Sequence, residues 1–233
     1  MKQVYIIHEH HPRLLLFFAG WGADETPFKE YRPAESDFMI CYDYRTLDFN
    51  ATELKEYREI NVIGWSMGVW AATRVMPQLA LPIATGIAIN GTPYPSDERF
   101  GIPPAIFRGT LDGLTGASLH KFLRRMCADG TAFRAFLEVT PRRPLEELRE
   151  ELERIEENYK LQITNYKGAD KGIDDSIVFH WQQAVIGSAD RIIPPANQLQ
   201  AWQKLGTPVR QTEDAHYQEE IFRYYLQDLW TNS

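Results

Sequence analysis

The stretch from Asn61 to Val75, NVIGWSMGVWAATRV, constrains the fold more than any other part of this chain. An apolar run closes on Gly64, Ser66 follows between two glycines, and a second apolar run starts at Gly68 without a break. A short strand with no polar alternation suits the interior of a parallel sheet, buried on both faces. A helix that follows at once makes the first half of a β-α-β unit. Small residues on both sides of Ser66 permit a sharp turn between strand and helix. A serine there is either a helix cap or an exposed nucleophile, and this stretch alone leaves both open.

The rest of the chain repeats the alternation. Val4–Ile7 and Leu14–Phe18 are apolar runs separated by HEHHPR and read as two strands of a hairpin. Asp37–Tyr44, Ile60–Gly64, Ile83–Asn90, Ala184–Gly187 and Pro208–Thr212 read as further strands. Ser66–Leu79, Pro194–Leu205 and Tyr217–Trp230 read as helices. Strands alternating with helices predict an α/β fold, mostly parallel, of the α/β-hydrolase kind. From about Pro93 to Ile177 the alternation stops, and helical patterns and charge runs take over. This predicts a core of residues 1–92 and 178–233 with a helical cap inserted at 93–177.

Composition excludes several function classes. A net charge of −7 argues against nucleic acid as the main partner. No apolar run approaches the ~20 residues that span a bilayer, and the N-terminus lacks the pattern of a secretory signal. Only two cysteines occur, Cys41 and Cys127, which fits a reducing cytoplasm rather than a disulfide scaffold. His8, His10 and His11 read as surface loop residues, not as metal ligands, and no metal or cofactor is expected.

A serine hydroxyl becomes a useful nucleophile only beside a base. Downstream, AVIGSADRIIP is a strand followed by a loop carrying Asp190, and VRQTEDAHYQEE is a strand followed by a loop carrying His216. The order Ser, Asp, His is that of the α/β-hydrolases. All three residues then lie beyond the carboxyl ends of parallel strands, where open α/β sheets bind ligands. Ser66 is the expected nucleophile, His216 the base, and Asp190 the acid that orients the imidazole. Asp97, Asp175 and Asp214 are less suited, the first two at the margins of the insertion and the third in the histidine's own loop. The Met67 N–H and the Trp21 N–H, the latter in the loop of LLLFFAGWGAD, are the expected oxyanion donors. Trp65, next to Ser66, is expected to pack or to line an acyl pocket.

The motifs FFAGWG, YDYR, IGWSMGVWAA, AINGTPYP, GSADRIIP and DAHY together resemble the BioG family. Those enzymes are pimeloyl-[acyl-carrier protein] methyl ester esterases of biotin synthesis. The resemblance runs from about Leu15 to Tyr217 and is weakest across the cap. It implies Ser66, Asp190 and His216 as catalytic residues, Trp21 and Met67 as oxyanion donors, and no metal or organic cofactor. Ala19 stands where many hydrolases carry the histidine of an HG motif, which sets the chain apart from generic lipases. The implied partner is an acyl-carrier protein bearing a pimeloyl methyl ester.

Between Arg99 and Arg143 the bases are Arg99, Arg108, Lys121, Arg124, Arg125, Arg134, Arg142 and Arg143, against Asp112, Asp129 and Glu138. Such a patch suits an acidic carrier, with Arg124 and Arg125 as the expected substrate-binding pair; with the acidic run EELREELERIEENYK that follows, the region reads equally as a solvated helix pair of mixed charge. The competing readings are an acyl thioesterase or small carboxylesterase on the same fold, and a non-catalytic binding protein.

Overall fold

A computed structural model describes residues 1–166 and 179–230. Seven strands, β1 (Lys2–Ile7), β2 (Arg13–Phe18), β3 (Ser36–Tyr42), β4 (Glu59–Trp65), β5 (Ile83–Ile89), β6 (Gln183–Gly187) and β7 (Val209–Thr212), form one sheet in the order β1-β3-β2-β4-β5-β6-β7. Only β1 runs antiparallel to its neighbour. β2 and β4 lie at the centre and are buried almost end to end, as their unbroken apolar runs require.

The expected hairpin of the first two strands does not form. β3 lies between β1 and β2, antiparallel to the first and parallel to the second. The cause is the segment after β1, which folds over the start of β3. There the buried Asp37 carboxylate accepts the Glu9 N–H at 2.9 Å and the His11 N–H at 3.3 Å. Tyr57 donates its hydroxyl to the other oxygen at 2.6 Å. β2 has enough apolar surface to take a partner on each side. β1, only half buried, takes the edge.

Helix α1 (Met67–Val75) follows β4 directly, and a single 3₁₀ turn extends it to Gln78. Four helices separate β5 from β6 among the described residues: α2 (Pro104–Asp112), α3 (Gly116–Met126), α4 (Gly130–Glu138) and α5 (Leu145–Tyr166). Two of them start with side-chain caps. Thr115 and Ser118 cap α3 reciprocally, and the Asp129 carboxylate caps α4 through the Thr131 and Ala132 N–H groups. α5 is strongly charged, yet Leu148, Leu152, Ile155 and Tyr159 fall on one stripe and are buried. Helices α6 (Pro195–Leu205) and α7 (Glu219–Leu226) complete the chain. Residues 167–178, with Asp175 and the end of the expected insertion, lie outside the described residues.

The four helices do not form a core of their own. Phe107, Leu111, Met126, Phe136, Leu148 and Leu152 belong to the same buried cluster as the sheet residues Phe17, Ile63 and Val185. No helix among the described residues is long and apolar enough to cross a membrane.

Candidate active site

The turn between β4 and α1 is built by close backbone approach. A Cβ on Gly68 would sit 2.0 Å from the Phe18 carbonyl oxygen, and one on Gly64 would meet Trp181 at 2.7 Å and the Val69 Cα at 3.0 Å. Only glycines let α1 descend this close to β2 and β4. Ser66 takes φ 57° and ψ −124° at the turn and donates its N–H to the Ile89 carbonyl at 3.0 Å. Its hydroxyl makes no cap to α1, so the capping alternative fails.

The three residues expected to act together do meet. Ser66 Oγ lies 3.0 Å from His216 Nε2, and His216 Nδ1 lies 2.8 Å from Asp190 Oδ2. All three are buried. Asp190 is fixed by four bonds. Its Oδ1 accepts the Ile192 and Ile193 N–H groups at 2.7 and 3.0 Å, and its Oδ2 accepts from His216 and from Gln198 Nε2 at 2.8 Å. A carboxylate held this way favours the tautomer in which Nδ1 carries the proton and Nε2 is free to accept one from Ser66. Asp97 instead caps a turn, accepting the Arg99 and Phe100 N–H groups.

Two residues that sequence reasoning did not single out hold this row in place. Gln198, wholly buried on α6, bridges Asp190 to the Ile193 carbonyl. Asn90, in the left-handed region at φ 44°, accepts the Gly187 N–H and donates to the Ala215 and His216 carbonyls. Asn90 lies in the AINGTPYP motif, which was the available signal; a helical glutamine gives none. Trp65 is buried beside Ser66. It lines the cavity over Ser66, and its indole N–H donates to the His216 carbonyl at 2.9 Å.

That cavity is narrow and partly open to solvent. Its floor is Gly20, Trp21, Ser66, Met67 and His216. Its walls come from α2 and the residues before it (Ile102, Ile106, Phe107, Thr110), from α3 (Phe122, Arg125, Met126), from Leu152 of α5 and from Ile192. Among the described residues neither the Trp21 nor the Met67 backbone N–H has a hydrogen-bond acceptor. For Met67, the first residue of α1, this is the ordinary state of a helix N-terminus and favours negative charge nearby. A second apolar cavity lies beyond the edge-to-face pair of Trp21 and Phe122, lined by Phe28, Leu119, Leu123, Phe136 and Leu148 among others.

The basic run divides. Arg125 is exposed at the cavity wall, and Arg124 lies outside it with its guanidinium over Phe133. Neither has an ion pair among the described residues. Arg108 pairs with Glu156 and, more distantly, Asp112. The Arg143 side chain is 4 % exposed and paired to Asp43 and Glu151, so it contributes nothing to a surface patch. Cys127 is buried, which pushes its thiol pKa up to about 11 and makes it a poor nucleophile.

The crystal structure of BioG from Haemophilus influenzae superposes with a TM-score of 0.83, is 37 % identical, and is covered in full by 98 % of this chain. The enol-lactonase of Burkholderia xenovorans, 11 % identical at a TM-score of 0.66 over 99 % of this chain and 96 % of that one, shares the α/β-hydrolase fold. A Bacteroides fragilis protein named malonyl-[acyl-carrier protein] O-methyltransferase is 52 % identical over 212 residues, 91 % of this chain. The chain spans only 41 % of that relative's length. Residues 1–227 match the family described as pimeloyl-ACP methyl esterase BioG, and the chain belongs to that family.

Proposed function

We propose that this chain is a serine esterase that hydrolyses the methyl ester of a pimeloyl group carried on an acyl-carrier protein, within biotin synthesis. The observation that carries the reading is the unbroken row Ser66–His216–Asp190 at the floor of an apolar cavity. The family description supports the substrate. The Bacteroides fragilis relative bears a methyltransferase name over a chain of which this one spans 41 %. An O-methyltransferase acting on a carrier-bound acid makes the kind of ester that this site would cleave, so the two activities are complementary.

In this reading His216 takes the Ser66 proton as Oγ attacks the ester carbonyl. The negative charge that develops on the carbonyl oxygen is met by the Trp21 and Met67 N–H groups. His216 then passes its proton to the leaving methanol. Water, activated by the same imidazole, releases the free carboxylate and restores Ser66. Asp190 stabilises the imidazolium throughout. The apolar walls accept the methylene chain, and helices α2 to α5 act as the cap. Arg125 at the cavity wall and Arg124 beside it face the acidic carrier. The chemistry uses these side chains and water alone, in the cytoplasm where the carrier resides.

The test is direct. Purified protein is given pimeloyl-carrier methyl ester, and the products are weighed by mass spectrometry. Loss of one methyl group with the carrier thioester intact is the expected result. Release of free carrier thiol instead identifies an acyl thioesterase. No reaction with carrier substrates alongside turnover of short soluble esters identifies a small carboxylesterase. Absence of all turnover, with Ser66 unlabelled by a fluorophosphonate, identifies a binding protein.

A further inference from the structure

The turn after β2 has no regular structure of its own, and its backbone is held from outside. Glu151 of α5 is 0 % exposed; one of its oxygens accepts the Gly22 N–H at 3.4 Å and the other accepts the Tyr44 N–H at 2.8 Å. Arg143, just before α5, donates to Glu151 at 2.7 Å and to the Ala23 carbonyl at 3.4 Å. The Trp21 indole N–H donates to the Leu148 carbonyl of α5 at 2.9 Å. The Arg142 N–H donates to the Asp24 carboxylate at 2.8 Å, and the Tyr44 hydroxyl donates to the Ala19 carbonyl at 2.6 Å. From Ala19 to Asp24, the turn is thus fastened chiefly to the segment that opens α5.

A buried ion pair is a poor way to gain stability, because desolvating both charges offsets most of their attraction. Apolar residues of the same volume would fill the space as well. They would not bond two backbone N–H groups and a carbonyl at set positions. We propose that Glu151 and Arg143 are positioning residues that hold the Gly20–Gly22 turn from α5, so that the Trp21 N–H is aimed at the oxygen of a carbonyl under attack by Ser66. Oxyanion stabilisation is then available only while α5 is docked. The proposal rests on the reading of Ser66 as nucleophile and Trp21 as oxyanion donor.

Glu151→Gln keeps the shape of the side chain but leaves one acceptor oxygen for two N–H groups and no charge for Arg143. On p-nitrophenyl butyrate, kcat is expected to fall about 10- to 100-fold with KM changed by less than about twofold. A trifluoromethyl ketone, which adds to Ser66 and forms a tetrahedral oxyanion, should lose affinity by about the same factor as kcat/KM. The corresponding secondary alcohol, which forms no adduct, should bind as before. Folded Glu151→Gln with wild-type kcat and ketone affinity overturns the proposal. Equal loss of ketone and alcohol also overturns it, because that marks a collapsed pocket. Should this variant not fold, Arg143→Lys, which keeps a positive charge but cannot hold both Glu151 and the Ala23 carbonyl with one planar fork, takes the same two inhibitors, with the same results for and against. Ser66→Ala is run beside them. Persistent turnover in that variant overturns the underlying reading, and a dead Ser66→Ala with an unaffected Glu151→Gln overturns the positioning role alone.

Discussion

Ser66 occupies φ 57° and ψ −124°, a conformation that an L-residue keeps only when its surroundings enforce it. The constraint comes from the backbone packing of Gly64 and Gly68, not from the hydroxyl. Ser66→Ala is therefore expected to lose at least about 10³-fold in kcat on a p-nitrophenyl ester while its unfolding free energy stays within about 0.5 kcal/mol of wild type. Asp190→Asn should cost about 10³- to 10⁴-fold in kcat, because an amide favours the wrong imidazole tautomer. If Asp97→Asn is the crippling change instead, the acid has been misassigned. Ser66, Asp190 and His216 can be picked out in the sequence because each lies within a few residues of the end of an expected strand, and strand ends meet along one edge of a parallel sheet. Gln198 is not legible. It bonds Asp190, eight residues earlier, only because α6 packs back on the loop it leaves, and a glutamine in a helix otherwise reads as solvent-facing.

At the scale of elements, the contact between α1 and β2 is set by the absence of a side chain. Gly68→Ala would drive a methyl group into the Phe18 carbonyl, which is backbone and cannot swing aside. Its unfolding free energy in urea is expected to fall by about 3 kcal/mol, at the upper end for overpacking. Gly116→Ala at the start of α3 meets nothing and serves as the control. α3 also carries the proposed carrier contact. Arg124→Glu combined with Arg125→Glu should lower kcat/KM for the carrier-bound ester at least about tenfold more than for a short soluble ester, and should flatten the salt dependence of the former. Equal losses on both substrates would mean that the arginines serve the cavity wall and not the carrier. Glu151 is no neutral control for that experiment, although the acidic run around it reads as a solvated helix face. It lies on the buried stripe of α5, three residues from Leu148 and four from Ile155. Most of the strands are legible from their apolar runs (β7, VRQT, is not one), whereas their order is not. Nothing in HEHHPR distinguishes a tight hairpin from a loop thrown across a third strand, because the deciding bonds come from Asp37 and Tyr57.

For the molecule as a whole, two carboxylates with many contacts, Asp37 and Glu151, shift in opposite directions. Burial raises the Asp37 pKa, but the bonds from Tyr57 and from the Glu9 and His11 N–H groups outweigh it and hold the pKa below 3.8. A pKa lowered by folding contributes stability above the unfolded value that is lost as pH falls through the folded one. Glu151 is the reverse case: burial, only partly opposed by Arg143, raises its pKa above 4.5. Its contribution is present below the unfolded value and is lost as pH rises through the folded one. The acid limb of stability therefore belongs to Asp37 and groups like it. Asp37→Asn should be less stable than wild type at neutral pH, yet its urea midpoint should fall less between about pH 5 and about pH 3.

The bonds from α5 to the turn after β2 also bear on attempts to change what the proposed site accepts. Caps are attractive units for recombination, since grafting one hydrolase's lid onto another's sheet promises a new specificity in one step. Here the graft has a hidden seam. A chimera that replaces everything between β5 and β6 discards Arg143, Leu148 and Glu151, and with them the partners of Trp21, Gly22 and Tyr44. Crossovers placed between α4 and Arg142 would exchange the walls supplied by α2 and α3 while leaving that seam intact.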